Sequence, residues 1–547
     1  MNKILLLLVL SFNFGNAQTV GLLQHDAGSL DDGYVLFAPI SSTTTYLIDK
    51  CGRQVKTWPS TYRPSLSVYL LEDGTILRPG KVNSSVFTAS GSGGIIQKID
   101  WNGNVVWSYT IADATKCQHH DVKALPNGNI LVIAYDLKTN TEAIAAGRNA
   151  TLVNTTLWSE QIIELQPVGT NLANVVWEWH LWDHLVQDLD ATKPNYGSIA
   201  ANSQLFNINY GAVANSTGID WIHLNAIDYN PVLDQILLSS RFMDQIWIID
   251  HSTSSAQAAS HSGGNSGKGG DILYRWGNPN SYNMGTLADR TLFGQHNAKW
   301  VTNGLPFQNQ ILIFNNGFER TGGNYSTIEI INPPTTGFNY NNATLPFLPI
   351  SSTWSYNYGN TNSFYAANIS GAQQLSNGNL LFCDGPAGIF NEITSSGTKV
   401  WKYINPVTST GILAQGVAPT ANSVFRSDFY PVDYPGFANK TLVAGGTIEN
   451  SNTVSANCNL VLSTTDATKF QNIQMYPNPA NDKISIQLNN NNPDYIEISN
   501  AMGQQVNVFQ NKLNEVIINT ENYSQGLYFI KIKKGIDFKI FKILIVH

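Results

Sequence analysis

The stretch ALPNGNILVIAYD, residues 124–136, reads as two β-strands around a tight turn. The dipeptide Asn127-Gly128 is a strong turn signal, and the run after it is rich in the β-branched residues that strands favour. The same hairpin pattern returns at other places, which are YLLEDGTILRPG (69–80), AIDYNPVLDQILLSSR (226–241), WVTNGLPFQNQILIFNNG (300–317) and QLSNGNLLFCDG (374–385). A hairpin that returns at intervals of several tens of residues indicates a β-repeat protein.

Two further strands follow each hairpin. The third strand ends in a polar turn, as in DQIWIIDHS (244–252), and the fourth often carries tryptophan, as in NVVWEW (174–179). Four antiparallel strands per unit are typical of a β-propeller blade. Beyond the clear units, one more blade is predicted from residues 34–58, completed by a strand from 423–437. We therefore predict an all-β fold with a six-bladed β-propeller, and a seven-bladed ring is the alternative.

The last part of the chain has a different pattern. Short alternating strands run from MYPNPANDKISIQL (475–488) to the final residue, and this spacing predicts a small C-terminal β-sandwich. The predicted domains are therefore a signal peptide at 1–17, the propeller at 18–465 and the sandwich at 466–547.

The first residues, MNKILLLLVLSFNFGNAQ, have the features of a signal peptide. Lys3 precedes a short apolar run, and the small residue Ala17 ends it. The run is too short for a stable membrane span, and no other stretch is longer, so we expect an exported protein without a membrane span. A buried first strand is the alternative interpretation of this segment.

Composition and cysteine usage limit the function classes. Only 13% of the residues are charged, the formal net charge is −7, and no long basic run occurs. These features exclude nucleic acid as an expected partner. The four cysteines lack the CxxC spacing of a zinc knuckle, so we expect either one or two disulfides or isolated buried thiols. They are Cys51, Cys117, Cys383 and Cys458.

Histidines recur at one position of the repeat. His119 and His120 precede one hairpin, His223 precedes the next, and His296 precedes the one after it. The innermost strand of each blade begins there and lines the axial channel of a propeller. Three consecutive blades therefore direct histidine toward one central mouth, where a ligand pocket is expected.

Two polar residues accompany His223. Asn225 lies two residues on, so both side chains project from one face of the strand, and antiparallel pairing returns Arg241 to the same end. Amide and guanidinium donors beside imidazoles suit a tetrahedral oxyanion. The structural alternative is that Arg241 caps an exposed hairpin and Asn225 completes a turn.

Two chemistries fit three histidines on residue type alone. Three imidazoles can hold zinc or copper, or one neutral imidazole can act as a nucleophile while the others and the arginine stabilise an oxyanion. The positive charge of Arg241 argues against a metal ion, and Asp121 is the only carboxylate in register. We prefer the nucleophile, and the metal site stays open.

Residues 30–440 resemble the arylsulfotransferase family that does not use the nucleotide sulfate donor. The similar segments are HHDVKALPNGNIL, WIHLNAIDYNPVLDQILLSSR, GQHNAKW and ISGAQQLSNGNLL. The resemblance implies a six-bladed propeller that moves a sulfuryl group from a phenolic sulfate to a phenol through a covalent sulfohistidine, without cofactor or metal. It implies His296 as the nucleophile and assigns oxyanion binding to His223, Asn225 and Arg241. The remaining family histidine corresponds to His119 or His120.

The tail resembles the type A C-terminal sorting domain of the type IX secretion system. The matching segments are YPNPANDKISI, ISNAMGQQV and SQGLYFIKI. This resemblance implies the type IX secretion machinery as a partner and a secreted or cell-surface protein. An ordinary binding sandwich is the alternative for the tail. For the whole chain, the alternatives are a non-catalytic surface propeller that binds glycan or protein, and a tri-histidine metalloprotein.

Overall fold

The computed structural model describes residues 18–211, 219–340, 346–357, 364–449, 458, 473–488, 493–500, 504–509, 514–534 and 537–547. The predicted signal peptide at 1–17 lies outside the described residues. The chain divides into two compact units between Ser455 and Ala456, which is N-terminal to the predicted boundary at 465.

In the described residues, the first unit contains six antiparallel sheets of four or five strands and three two-stranded sheets. From its inner to its outer strand, the first sheet consists of Val424–Pro431, Gly33–Pro39, Thr44–Asp49 and Gln54–Pro59. The second consists of Tyr69–Leu70, Ile76–Lys81, Gly94–Ile99 and Val105–Thr110. The third consists of Lys116–Ala124, Ile130–Thr139, Thr156–Val168 and Leu172–His180.

The other three sheets follow the same order. The fourth consists of Leu224–Asn230, Gln235–Ser240, Gln245–Asp250 and Tyr274–Trp276. The fifth consists of His296–Trp300, Ile311–Asn315, Thr327–Ile331 and Trp354–Tyr356. The sixth consists of Gly371–Gln374, Leu380–Asp384, Ile389–Ile393, Lys399–Ile404 and Gly21–His25. The prediction of an all-β protein is confirmed.

The first sheet joins the two ends of the repeat region. Its inner strand Val424–Pro431 pairs antiparallel with Gly33–Pro39, which confirms the predicted completion of this sheet by residues 423–437. The sixth sheet has an additional strand that the sequence did not predict. Gly21–His25 pairs with Lys399–Ile404 at its outer edge.

Tryptophans explain how neighbouring sheets pack. A fourth-strand indole is large enough to fill the space between two sheets, and its N–H needs a partner when buried. In five sheets this N–H donates to a backbone carbonyl of the next sheet or its connections. The pairs are Trp58 with Asp100, Trp107 with Leu172, Trp179 with Gly270, Trp276 with Pro349 and Trp401 with Lys50. The last pair joins the sixth sheet to the first.

Neighbouring inner strands are also joined by side chains. Asp121, Asp228 and Asn297 each accept a backbone N–H from the inner strand of the following sheet. These buried contacts fix the relative height of the third to sixth inner strands. Side chains at the same height on those strands are therefore held near one another. His120 and His296 each lie next to one of these contacts, because they precede Asp121 and Asn297 in the chain.

The remaining elements are short. Among the described ranges, α-helices occur at Asn140–Ala145 and Ser255–Ala258, and 3₁₀ helices occur at Ala150–Leu152, Leu181–Asp183, Ala200–Asn202, Pro279–Tyr282, Leu287–Asp289 and Pro435–Phe437. Two-residue strands pair as Leu185–Val186 with Phe206–Asn207, Thr335–Thr336 with Asn339–Tyr340, and Val407–Thr408 with Gly411–Ile412. None of the described helices is long and apolar enough to span a bilayer. Cys117 and Cys383 are buried free thiols, and the other two cysteines are disulfide-bonded.

The second unit contains two antiparallel sheets over one hydrophobic core. One sheet consists of Gln474–Tyr476, Lys483–Gln487 and Glu515–Asn519. The other consists of Gln505–Phe509, Tyr495–Asn500, Gly526–Lys534 and Asp537–Ile545. Alternating isoleucines such as Ile484, Ile486 and Ile530 are fully buried between them, which is the arrangement of a β-sandwich.

Candidate active site

The predicted site residues lie at the end of the first unit where the inner strands of the third, fourth and fifth sheets begin. We call this end the histidine mouth. Each of these strands has a register shift beside its histidine. At each shift one residue has a positive φ, which is 52° for His120, 56° for His223 and 52° for Asn297. Such bulges redirect side chains and are common beside active sites.

His296 is buried, and its hydrogen bonds define its tautomer. Its Nδ1 lies 2.7 Å from Oδ1 of Asn316 and 3.0 Å from the carbonyl of Gly294, and both are acceptors. Its Nε2 accepts the backbone N–H of Ile369 at 3.2 Å. The proton therefore resides on Nδ1, and the lone pair is on Nε2.

His223 lies against His120, with ring centroids 4.5 Å apart. The carboxylate of Asp220 accepts a hydrogen bond from Nδ1 of His223 at 2.6 Å, so Nε2 is the nitrogen that remains for a ligand. The backbone N–H of Arg241 donates to the carbonyl of His223 at 3.1 Å. The predicted return of Arg241 to the neighbourhood of His223 is confirmed for the backbone.

The structure distinguishes between the adjacent histidines His119 and His120. His120 contacts His223, whereas the imidazole of His119 lies behind it and stacks on Tyr135 with centroids 3.7 Å apart. The two Nδ1 atoms are 2.8 Å apart, and Nε2 of His119 is 2.7 Å from Oε2 of Glu160. Of the two candidates, His120 is the one that belongs to the histidine cluster itself.

Burial and positive charge keep the imidazoles of His296 and His120 neutral. Burial lowers the pKa of His296 well below the usual value for histidine, and the charge of Arg241 lowers it further. Burial also lowers the pKa of His120, with added effects of His223, His119, His296 and Arg241. The unprotonated Nε2 of His296 is therefore the dominant form at physiological pH.

Arg241 forms one wall of a cavity of about 150 Å³ beside the histidines. Its guanidinium lies over the ring of Phe318 at 5.5 Å and donates to the carbonyl of Ala367 at 3.4 Å. The other lining residues are Tyr210, Gly211, Phe242, Asp244, Leu287, Arg290, Gly294 and Glu319. Aromatic and aliphatic walls next to a permanent cation suit a ligand with an apolar ring and an anionic group.

Asn225 is fully buried between the fourth and fifth sheets. Its Nδ2 donates to the carbonyl of Gln295 at 2.7 Å, directly before His296 in the chain. One hydrogen of the amide is thus used for positioning, and the buried Oδ1 has no hydrogen-bond partner among the described residues.

Four residues at the site were not predicted from the sequence. Asn316, Asp220 and Glu160 hold the histidines, and Gly91 makes room for one of them. A Cβ at Gly91 would lie 1.9 Å from Cε1 of His120. The carboxylates and the amide follow no common register with the histidines, and only their buried hydrogen bonds reveal them.

A second group of side chains with the spacing of metal ligands lies elsewhere in the first unit. It consists of His184, His261 and Asp271. Nδ1 of His184 and Nδ1 of His261 are 2.8 Å and 2.7 Å from the same oxygen of Asp271. Hydrogen bonds from both rings to this carboxylate account for the cluster. At the histidine mouth, the one carboxylate in register, Asp121, is instead paired with Arg426 at 2.5 Å.

Comparisons with known proteins bear on this site. A family model described as Arylsulfotransferase (ASST) matches residues 41–413, and a model described as Secretion system C-terminal sorting domain matches residues 474–547. Both resemblances predicted from the sequence are thereby confirmed. No curated protein matches the chain.

Solved structures of similar fold are distant in sequence. A protein of unknown function from Bacteroides caccae is 13% identical, covers 68% of this chain and 94% of its own, and has a TM-score of 0.38. A streptogramin B lyase is 12% identical, covers 76% and 97%, and has a TM-score of 0.34. A virginiamycin B lyase from Staphylococcus aureus is 12% identical, covers 72% and 87%, and has a TM-score of 0.32.

The arylsulfotransferase match includes all three histidine-bearing inner strands and the hairpin that ends at Arg241. Because it spans more than half of the chain, the protein belongs to the arylsulfotransferase family.

Proposed function

We propose that this protein is an exported aryl-sulfate sulfotransferase. It transfers a sulfuryl group from a phenolic sulfate ester to a phenolic acceptor, and it needs no nucleotide sulfate donor, cofactor or metal. Membership of the arylsulfotransferase family supports the reaction class. The observation that carries the mechanism is the tautomer of His296, whose Nδ1–H is held by Asn316 and Gly294 while Nε2 keeps its lone pair.

In this proposal each of the six sheets is one blade of a propeller. The indole contact between Trp401 and Lys50 closes the ring. The histidine mouth is then one end of the axial channel, which is where propellers bind small ligands.

The first half-reaction forms a sulfohistidine. The hydrogen bond from the backbone N–H of Ile369 to Nε2 of His296 breaks first. The freed lone pair then bonds to sulfur as the bond between sulfur and the phenolic oxygen breaks. The leaving phenolate takes the proton from Nε2 of His120. Positive charge grows on the His296 ring, and the hydrogen bond from its Nδ1–H to Asn316 stabilises that charge.

Three side chains stabilise the sulfuryl oxygens. The guanidinium of Arg241 supplies a permanent charge, and Asn225 offers its second amide hydrogen. His223 joins them as the imidazolium paired with Asp220, because only this form has a hydrogen on Nε2 while Nδ1–H donates to the carboxylate. Donors of this kind in a buried site are worth more for the transition state than they would be in water.

The second half-reaction reverses these steps. A phenolic acceptor replaces the first phenol and gives its proton to Nε2 of His120. Its oxygen bonds to sulfur as the bond to Nε2 of His296 breaks, which regenerates the enzyme. The cavity next to Arg241 is the proposed place for the aryl ring, because Phe242, Phe318 and Leu287 form an apolar part of its lining.

The proposed location is the cell surface or the medium. The sorting domain supports export through the type IX secretion machinery, which is then the protein's partner in transport. Residues 1–17 would direct the first export step, and 466–547 would be the region recognised for the second.

The activity is tested by incubating the purified protein with 4-nitrophenyl sulfate and phenol and recording release of nitrophenolate. We expect acceptor-dependent release by the wild-type protein and none by His296→Ala. The matched control is His261→Ala, whose exposed imidazole lies outside the site and whose loss should leave the rate unchanged. Full activity of His296→Ala, or no release with a panel of aryl sulfates, would support the non-catalytic binding propeller instead.

A further inference from the structure

Three buried side chains form a line of hydrogen bonds that ends at the histidine cluster. Oε2 of Glu160 is 2.7 Å from Nε2 of His119, and Nδ1 of His119 is 2.8 Å from Nδ1 of His120. Glu160 and His119 are fully buried, and His120 is 2% exposed. The stack of Tyr135 on His119 holds that ring in the line.

Each of the two contacts needs one hydrogen, and two arrangements provide it. In the first, the protons lie on the Glu160 carboxyl, on Nδ1 of His119 and on Nε2 of His120. In the second, Glu160 is ionised, and the protons lie on Nε2 of His119 and on Nδ1 of His120. Nε2 of His120 is then a donor in the first arrangement and an acceptor in the second.

Both arrangements keep the two imidazoles neutral, and they differ by one proton. The other oxygen of Glu160 accepts the backbone N–H of Leu224 at 2.9 Å in either case. Moving from one arrangement to the other therefore requires proton shifts along existing contacts and no rotation of a side chain.

The surroundings favour the first arrangement at rest. Burial raises the pKa of Glu160 well above the usual value for a carboxyl and lowers the pKa of His119 to about 3. The charged and titratable groups around the line are Asp136, Asp220, Cys117, Tyr135, His223, His296 and Arg241. An imidazolium at His120 would lie among four basic groups, which are His119, His223, His296 and Arg241, and a neutral relay avoids this repulsion.

We propose that Glu160 is the proton store of the transferase reaction and that His119 and His120 form its relay. When the bond between sulfur and the phenolic oxygen breaks, Nε2 of His120 gives its proton to the phenolate. Nδ1 of His120 takes a proton from Nδ1 of His119, whose Nε2 takes the proton of Glu160. The acceptor phenol later returns one proton along the same path.

Glu160 touches no substrate in this scheme and acts through the two imidazoles, so it is a positioning and relay residue. The inference rests on the proposed sulfotransferase function. It adds a requirement that depends on the leaving group, because an acidic phenol departs without a proton and a weakly acidic phenol does not.

The test compares Glu160→Gln with the wild-type protein in the first half-reaction. The amide keeps the size of the side chain, a donor for His119 and an acceptor for Leu224, but it has no proton to release. We expect formation of the enzyme adduct from 4-nitrophenyl sulfate at nearly the wild-type rate. With phenyl sulfate we expect a rate lower by about 10²-fold or more, which is the usual size of general acid catalysis.

The matched control is Glu164→Gln on the same strand, whose carboxylate binds Asn129 and His251. It should behave as wild type with both donors. Equal slowing of Glu160→Gln with both donors, or no slowing with either, overturns the relay. Absence of any adduct in the wild-type protein overturns the transferase function itself, and the two failures are therefore distinct.

If Glu160→Gln fails to fold, a measurement on the wild-type protein still tests the relay. Infrared difference spectra should show the carbonyl stretch of a buried protonated carboxyl in the resting protein. This band should be lost when the adduct forms from phenyl sulfate. A band that is absent at rest, or that persists in the adduct, overturns the proposal.

Discussion

The backbone N–H of Ile369 donates a hydrogen bond to Nε2 of His296 at 3.2 Å. The φ angles of Ile369 and Ser370 are both positive, 45° and 83°, and a branched residue adopts such a φ only when its surroundings impose it. Asn316 provides part of that constraint, because its Nδ2 donates to the carbonyl of Ile369 at 2.9 Å. Asn316 thus orients both His296 and the backbone of Ile369, which donates to the lone pair of His296 Nε2.

The pH dependence of the first half-reaction follows from the neutral state of His296. Its pKa is lowered from the ordinary value of 6.5, and the proposed reaction needs the unprotonated form. The rate constant for adduct formation should therefore stay constant as the pH falls through 6.5 and should decline only at lower pH. Stopped-flow measurement of nitrophenolate release at constant ionic strength records this acid limb, which is the decline of the rate constant at low pH.

Removal of the charge at Arg241 should shift the acid limb of the pH–rate profile in a defined direction. Arg241 lowers the pKa of His296, so Arg241→Gln raises it, and the acid limb should appear at higher pH than in the wild-type protein. The same variant should also raise KM by about 10-fold, since a charge-assisted bond to the sulfuryl oxygens is lost. A limb that does not move, or one that moves to lower pH, contradicts the placement of this charge.

Asn316→Ala should impair chemistry more than binding. The variant frees Nδ1 of His296 from one acceptor and allows the unproductive tautomer, so kcat should fall by about 10²-fold while KM changes little. Asn315→Ala is the matched control. Asn315 is the preceding buried asparagine, but it binds Phe293 and Thr291 and not His296. Steady-state kinetics of the two variants measure this difference. An equal loss of kcat in both would show that only general stability matters.

His251 should contribute to stability in a pH-dependent way. Burial lowers its pKa, but Asp234 at 2.6 Å and Glu164 at 3.0 Å outweigh burial and raise the pKa to about 9. Because the folded-state pKa lies above the unfolded value, the stabilisation is complete below pH 6.5 and is lost as the pH rises through about 9. Partial exposure of Asp234 limits it to about 2 kcal/mol.

The contribution of His251 to stability is measured by urea unfolding of His251→Gln and the wild-type protein, below pH 6.5 and above pH 9. We expect a difference of about 2 kcal/mol in the free energy of unfolding at acidic pH and little difference above the raised pKa. His261→Gln, a change at an exposed histidine, should stay within about 0.5 kcal/mol of wild type throughout. A constant difference for His251→Gln at every pH would contradict the ion-pair origin.

The repeat pattern was sufficient to predict the strands and their connection. Hairpins such as 124–136 carry turn residues between alternating apolar positions, and both signals are local. The closing strand at Val424–Pro431 was also predictable, because residues 34–58 alone lack an inner strand. The histidine register followed from the same repeat, since equivalent positions of equivalent strands lie at the same end of the first unit.

The partners of the histidines were not predictable in this way. Glu160 comes from a third strand, and Asp220 and Asn316 come from connections, so no periodicity relates them to the histidines. The choice between His119 and His120 depends on a bulge that changes which side chain faces the mouth.

The covalent intermediate is the central claim, and mass spectrometry tests it directly. The wild-type protein is incubated with 4-nitrophenyl sulfate alone, and its intact mass and its peptides are measured. The account predicts the added mass of one sulfuryl group, located on His296, absent from His296→Ala and removed when phenol is added. Turnover without any adduct, or an adduct on a different residue, would contradict it.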